Sequence, residues 1–261
     1  MNLAPILGLV FTLVIFGLMV FFFTAGRTRF GHNFREIAAF TKLRQAVGIA
    51  VEAGTRLHIS VGRGSISGPE SASAFAGLTM LDRVARAGSV SDRPPVATSG
   101  DGALTILAQD TLRGSYRALG VEGHYDPTSG RVLGLTPFSY TAGALTVISD
   151  EQISANLLNG HFEGEIGLIN DAAERKGSLV VAGSESITGQ AVIFATASDP
   201  LIGEEAFAGG AYLSAGPMHD ASLHAQDVMR WVVIVLLLAG SVIKLFGIDQ
   251  LLIGFFPGVT K

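Results

Sequence analysis

Apolar residues crowd the two ends of the chain and alternate with polar ones between them, and that contrast divides the sequence before any motif is considered. Residues 5–25 (PILGLVFTLVIFGLMVFFFTA) carry no charge. About 20 apolar residues at 1.5 Å rise match the roughly 30 Å hydrocarbon thickness of a bilayer, so this stretch predicts a transmembrane helix over residues 1–26. A cleavable signal peptide is the competing reading. The lack of a basic leading region, the long apolar run and the lack of an A-x-A site favour an uncleaved anchor. A second run, 231–246 (WVVIVLLLAGSVIKLF), predicts another transmembrane helix over 229–247, with Lys244 snorkelling near its end. A buried soluble helix is the alternative there. Residues 248–261 form an apolar tail broken by Asp249.

Between these segments, residues 32–226 have the length of one domain with its own core. Ile37, Phe40, Leu43, Val47 and Val51 recur at helical spacing up to Gly54, a suitable C-cap, and predict an amphipathic helix over 33–53. Short β-branched runs then alternate with helical stretches. Strands are predicted at 57–62, 94–99, 131–136, 155–160, 178–183 and 200–203, and helices from Pro69 to about Val84 and near 103–119, 166–175, 188–197 and 204–213. Asp126-Pro127 and Ser129-Gly130 mark a turn before the third strand. Residues 140–154 fit helix or strand, with helix preferred. Strand followed by helix, repeated, predicts an α/β fold: a Rossmann-like, mostly parallel sheet with helices on both faces, flanked by N- and C-terminal transmembrane helices.

Charge adds an orientation. Arg27, Arg29, Arg35, Lys42 and Arg44 lie on the domain side of the first apolar segment and nothing basic precedes it, which predicts a cytoplasmic domain on two spans in the inner, cytoplasmic membrane. Lys244 and Lys261 argue weakly against that orientation. A hydrophobic share of 48%, concentrated at the ends, makes the lipid bilayer the expected partner. The net charge of −4 leaves no basic surplus for a nucleic-acid backbone, so nucleic acid is not expected. The absence of cysteine removes disulfides, thiolate metal sites and cysteine nucleophiles together.

Ligands of an open parallel sheet bind beyond the carboxyl ends of its strands, and the segments there are glycine-bearing and polar: 62–68 (GRGSISG), 98–102 (TSGDG), 159–165 (NGHFEGE), 182–186 (AGSES) and 203–205 (GEE). A dinucleotide fingerprint would need glycine at 67, where serine stands, and no GxxxxGK[ST] run occurs. Against one Arg63 these loops set Asp101, Glu163, Glu165, Glu185, Glu204 and Glu205, which would repel phosphate and suit a cation, an amine or polyhydroxyl ligand, or a neighbouring subunit's basic surface. The plainer account is that acids in a first helical turn stabilise it, and that account is preferred for Glu204 and Glu205. Ser99, Asp101, His161, Glu163 and Ser184 are the candidate ligand contacts. His161 beside Glu163 and Glu165 has the makings of a general base, although such a histidine is more often a surface residue. His219, Asp220, His224 and Asp227 match no metal-binding spacing, so no metal site is expected. No catalytic residue and no cofactor can be named.

At 51–62 (VEAGTRLHISVG), 156–175 (NLLNGHFEGEIGLINDAAER) and 200–214 (PLIGEEAFAGGAYLS) the chain resembles an uncharacterised family of prokaryotic membrane proteins known only as a domain of unknown function. The resemblance covers most of residues 35–228. It implies a cytoplasmic-type α/β domain beside terminal membrane helices, and it carries no activity and no functional residue.

Two functions compete at this stage. One is a self-associating, homo-oligomeric scaffold or membrane-organising component, suggested by the small residues Gly209-Gly210-Ala211 and Ala195, Ala197 and Ser198. The other is a ligand-binding sensor or enzyme using the strand-end loops. A transporter ranks third, because neither apolar segment carries a mid-helix ionisable residue.

Overall fold

The computed structural model describes residues 3–29, 34–89 and 91–245 and resolves two compact units, Phe34–Gly216 and a unit built from the two terminal segments. The first unit holds six strands: β1 (Arg56–Gly62), β2 (Val96–Ser99), β3 (Gly130–Val132), β4 (Ile153–His161), β5 (Leu179–Gly183) and β6 (Asp199–Leu201). They form one sheet in the order β3-β2-β1-β4-β5-β6, parallel throughout. Each falls on a predicted run. Strand β2 starts only at Val96 because Pro94 and Pro95 have no amide to give the ladder.

The terminal unit consists of α1 (Leu3–Arg29) and α9 (Pro217–Leu245), and the sheet unit holds α2 (Ala38–Ala53), α3 (Ser71–Gly88), α4 (Gly102–Ala118), α5 (Pro137–Asp150), α6 (Ile166–Arg175), α7 (Ile187–Thr196) and α8 (Glu205–Tyr212). Alternation along the strands builds two cores. Leu57, Ile59 and Val61 of β1, with Leu157 and Val181, face Phe40, Leu43, Leu81, Leu104 and Ala206 from α2, α3, α4 and α8. Leu158, Val180 and Ala182 face Tyr140, Ile148, Ile169 and Ile193 from α5, α6 and α7. Each fully buried Leu, Ile or Val contributes about 1.5–3 kcal/mol of hydrophobic stabilisation.

Local signals explain the boundaries. Thr136 caps α5 by accepting from the Ser139 amide, the Ser139 hydroxyl takes the Thr136 amide in return, and Pro137 opens the helix. The ambiguous stretch 140–154 is therefore helix to Asp150 and strand from Ile153, joined through Gln152 at φ 52°. Gly54 ends α2 in the left-handed region, at φ 62°. The short turns before β3 are two 3-10 turns, Glu122–His124 and Pro127–Ser129, the second capped by Asp126. Gly209 lies in α8, where an added Cβ would come within 2.7 Å of Met80 Cγ on α3. Gly209, Gly210 and Ala211 are buried, so this small run closes the domain's own packing.

In the terminal unit, the most apolar 18-residue stretches of Ala4–Thr24 and of α9 have mean hydropathies of 2.8 and 2.1, so both helices are long and apolar enough to cross a membrane. They pack on one another, and the rings of Phe22 and His224 lie 5.6 Å apart. Helix α9 runs unbroken from Pro217, so residues 217–228 share a helix with the second apolar segment. The predicted tail, 248–261, lies outside the described residues.

Candidate functional site

The strand order reverses between β1 and β4: chain leaving β1 returns to β2 on one side, and chain leaving β4 continues to β5 on the other. A crevice opens at the carboxyl ends of such a pair. The segments after β1, β4 and β5 supply its walls. Gly62 turns the chain out of β1 at φ 78°, and a Cβ there would stand 2.6 Å from the backbone nitrogen of His161, so only glycine fits. The Arg63 amide then donates to the His161 carbonyl at 3.1 Å, tying the two strand ends together.

Arg63 lies nearly enclosed. Its Nε donates to Glu165 Oε1 at 2.8 Å, and a terminal nitrogen stands 3.9 Å from Glu163. Glu165 uses its other oxygen to accept the Glu163 amide at 3.1 Å, which fixes the loop between β4 and α6. Beside this pair, Nδ1 of His161 meets Glu185 Oε1 at 2.5 Å. That hydrogen bond raises the His161 pKa against the opposing effect of burial. Burial pushes the Glu185 carboxyl up, but His161 and the nearby Ser73 hydroxyl outweigh it and hold the carboxyl below its ordinary value. Each group stabilises the charge of the other.

The loop from Gly62 to Gly68 has the place and glycine content of a phosphate-binding turn, and its interior is filled. Oε1 of Glu70 accepts the Ser65 amide at 3.2 Å, and a Cβ at Gly68 would fall 2.5 Å from that same oxygen. The Glu70 amide and then the Ser65 amide hold its carboxyl below the usual range. Thus a carboxylate of the chain itself sits where an anion would otherwise meet the start of α3.

Of the predicted contacts, His161 and Glu163 stand in the crevice with Arg63, Glu165 and Glu185. The other three serve the backbone. Ser99 donates to the Gly62 and Asp101 carbonyls, Asp101 caps α4 by accepting the Leu104 amide at 2.8 Å, and Ser184 accepts the Phe162 and Ser186 amides. The acidic rim is largely matched within the fold, since Glu205 pairs with Arg35 as well. Among the described residues no three His, Cys, Asp or Glu side chains are placed to hold a metal ion.

Sequence reasoning missed a buried polar chain beneath the crevice. His58 reaches Asn156 Oδ1 at 2.9 Å and Thr98 at 2.8 Å, and Thr98 and Ser60 both bond the Tyr140 hydroxyl. Burial drives the His58 pKa down to about 4, so the ring is neutral. The signal in the sequence was the polar pair His58 and Ser60 set between Leu57, Ile59 and Val61. That alternation reads as a half-exposed strand unless the second face is known to be covered.

Fold and crevice together define a doubly wound, Rossmann-like α/β protein with two helices able to cross a membrane. The chain belongs to the family described as Domain of unknown function (DUF6754), whose model matches residues 1–253. No curated protein and no solved structure matches it.

Proposed function

We propose that this protein is a membrane-anchored α/β domain that associates with copies of itself and acts as a scaffold or membrane-organising component. The observation that carries this is the outer face of α7. Ile187 is 87% and Phe194 74% exposed, and Ala191 and Ala195 extend the same uncharged face. Phe138 on α5 and Leu168 on α6, in the same helical layer, are exposed too. Apolar surface of this kind marks an interaction site. A second copy is the favoured occupant, because anchoring in one bilayer confines copies to a plane and raises their effective concentration. The small residues Ala195 and Ser198 lie exposed by this face and support it, whereas Gly209-Gly210-Ala211 do not. The basic residues after the first apolar segment support a cytoplasmic domain on two spans of the inner membrane.

The test is particle mass in mild detergent and in nanodiscs. Wild type is expected to be oligomeric and Ile187→Glu/Phe194→Glu to fall to monomer with an unchanged melting temperature. A strictly monomeric wild type would overturn the proposal.

A second reading, a ligand-binding sensor or enzyme, is favoured by the placing of His161, Glu163 and Arg63 at the point where strand order reverses. Glu70 in the loop directs that reading away from phosphates and towards amines or polyhydroxyl compounds. His161→Ala should then abolish a ligand-induced thermal shift seen in the wild type. No shift across a panel of amines, sugars and metal ions counts against a ligand there.

A further inference from the structure

A separate cavity of about 230 Å³ lies between α2, α3 and the end of α8, away from both the crevice and the α7 face. Its walls are mainly apolar, from Leu43 and Val47 of α2, Val84 of α3 and Leu213. Arg44 and Arg83 line it as well.

Among the described residues no carboxylate pairs with Arg44, and the one beside Arg83 is shared. Arg44 donates to the carbonyl of Tyr212 at 3.1 Å. The carboxylate next to Arg83 is that of Asp82, and it is already taken: Arg86 donates to both its oxygens at 2.9 and 3.0 Å, and the Ser115 hydroxyl to one of them at 2.9 Å. Arg83 Nε stands 4.0 Å from it and has no hydrogen-bond partner among the described residues. Asp82 is shared between two arginines, so Arg83 keeps positive charge that an acidic group in the cavity would offset.

The backbone gives an independent sign. Ser214, on the cavity wall, holds φ 59°, and the Ala215 amide returns to the Gly210 carbonyl at 2.7 Å in the manner of a helix cap. Glycine is the unstrained residue for that position. Strain of this kind concentrates at binding sites.

We propose that this cavity binds an anionic amphiphile, a phosphate or carboxylate carried on a short acyl chain. The two arginines take the head and the aliphatic wall takes the chain. The volume suits a single narrow chain, being below the roughly 300–1,000 Å³ of pockets for drug-sized molecules. A neutral or cationic amphiphile would leave Arg83 unmatched.

The test uses the full chain in nanodiscs of zwitterionic phosphatidylcholine, titrated by calorimetry with octyl phosphate, octanol and octylamine after subtraction of empty discs. Octyl phosphate is expected to saturate at one site per chain, with octanol about ten-fold weaker or more and octylamine not binding. Arg44→Gln/Arg83→Gln should lose that preference while its melting temperature in the absence of amphiphile stays near that of wild type. Ala87→Phe, at the rim, should weaken octyl phosphate and octanol together. Discs containing phosphatidylglycerol separate the sources: loss of titratable octyl phosphate assigns the site to a bilayer headgroup, and retention assigns it to a free amphiphile. Equal binding of octanol and octyl phosphate by the wild type, or undiminished octyl phosphate binding by the double variant, overturns the proposal.

Discussion

Arg63 Nε stands 2.8 Å from Glu165 Oε1, with the two side chains only 10% and 3% exposed. A pair this enclosed has given up water on both sides, so removing one partner strands the other charge and costs about 3–5 kcal/mol. Arg63→Met alone and Glu165→Met alone should each lower the melting temperature strongly. The double variant should recover most of the loss, because two apolar side chains need no partner. Additive losses would show that the residues act independently.

His58 makes stability fall in acid. Its folded pKa, about 4, lies below its unfolded value of 6.5, so the unfolded chain takes up the proton first as pH drops. Stability is therefore whole above pH 6.5 and declines towards pH 4, by about 3 kcal/mol in all. A melting-temperature profile should show that decline, and His58→Gln should flatten it.

His161 runs the other way. Its folded pKa lies above 6.5, so its contribution is complete below pH 6.5 and fades as pH rises through the raised value. Glu185, with a folded pKa below 4.5, contributes above pH 4.5 and loses that contribution as pH falls through its lowered value. The pair is thus strongest between the two. In an NMR titration of the His161 ring, Glu185→Gln should bring the midpoint down. An unmoved midpoint would show that Glu185 is not the cause.

Two glycines separate helix propensity from packing. In α4, a Cβ at Gly114 meets nothing within 4 Å, so Gly114→Ala should stabilise by about 0.5–1 kcal/mol. In α3, a Cβ at Gly77 would stand 2.3 Å from the Asn159 carbonyl oxygen of β4. The same propensity gain is then outweighed by displacement of helix from sheet, about 1–3 kcal/mol, and Gly77→Ala should destabilise. Melting temperatures of the two variants should move in opposite directions.

The strands were legible because they are apolar runs bounded by turn residues, and α6 because Ile166, Ile169 and Ala173 repeat at helical spacing. The site was legible only in part. Position at a strand end brought out His161 and Glu163, which lie in the crevice, but it could not separate them from Ser99, Asp101 and Ser184, whose polar atoms are spent on nearby backbone. That distinction depends on which amides lie unsatisfied around each side chain, and these are fixed only once the chain has turned. The partners of His58 were hidden for a related reason: Thr98 and Asn156 are 40 and 98 residues further on and meet it only through sheet order, while Tyr140 joins the chain through Thr98 and Ser60 by the packing of α5.

Glu70 also sets when its turn is complete. A turn that carries its own negative charge is completed when the chain folds, whereas one built for a nucleotide is completed only while the nucleotide is bound and gains stability from it by mass action. The stability of this turn is thus independent of any bound anion.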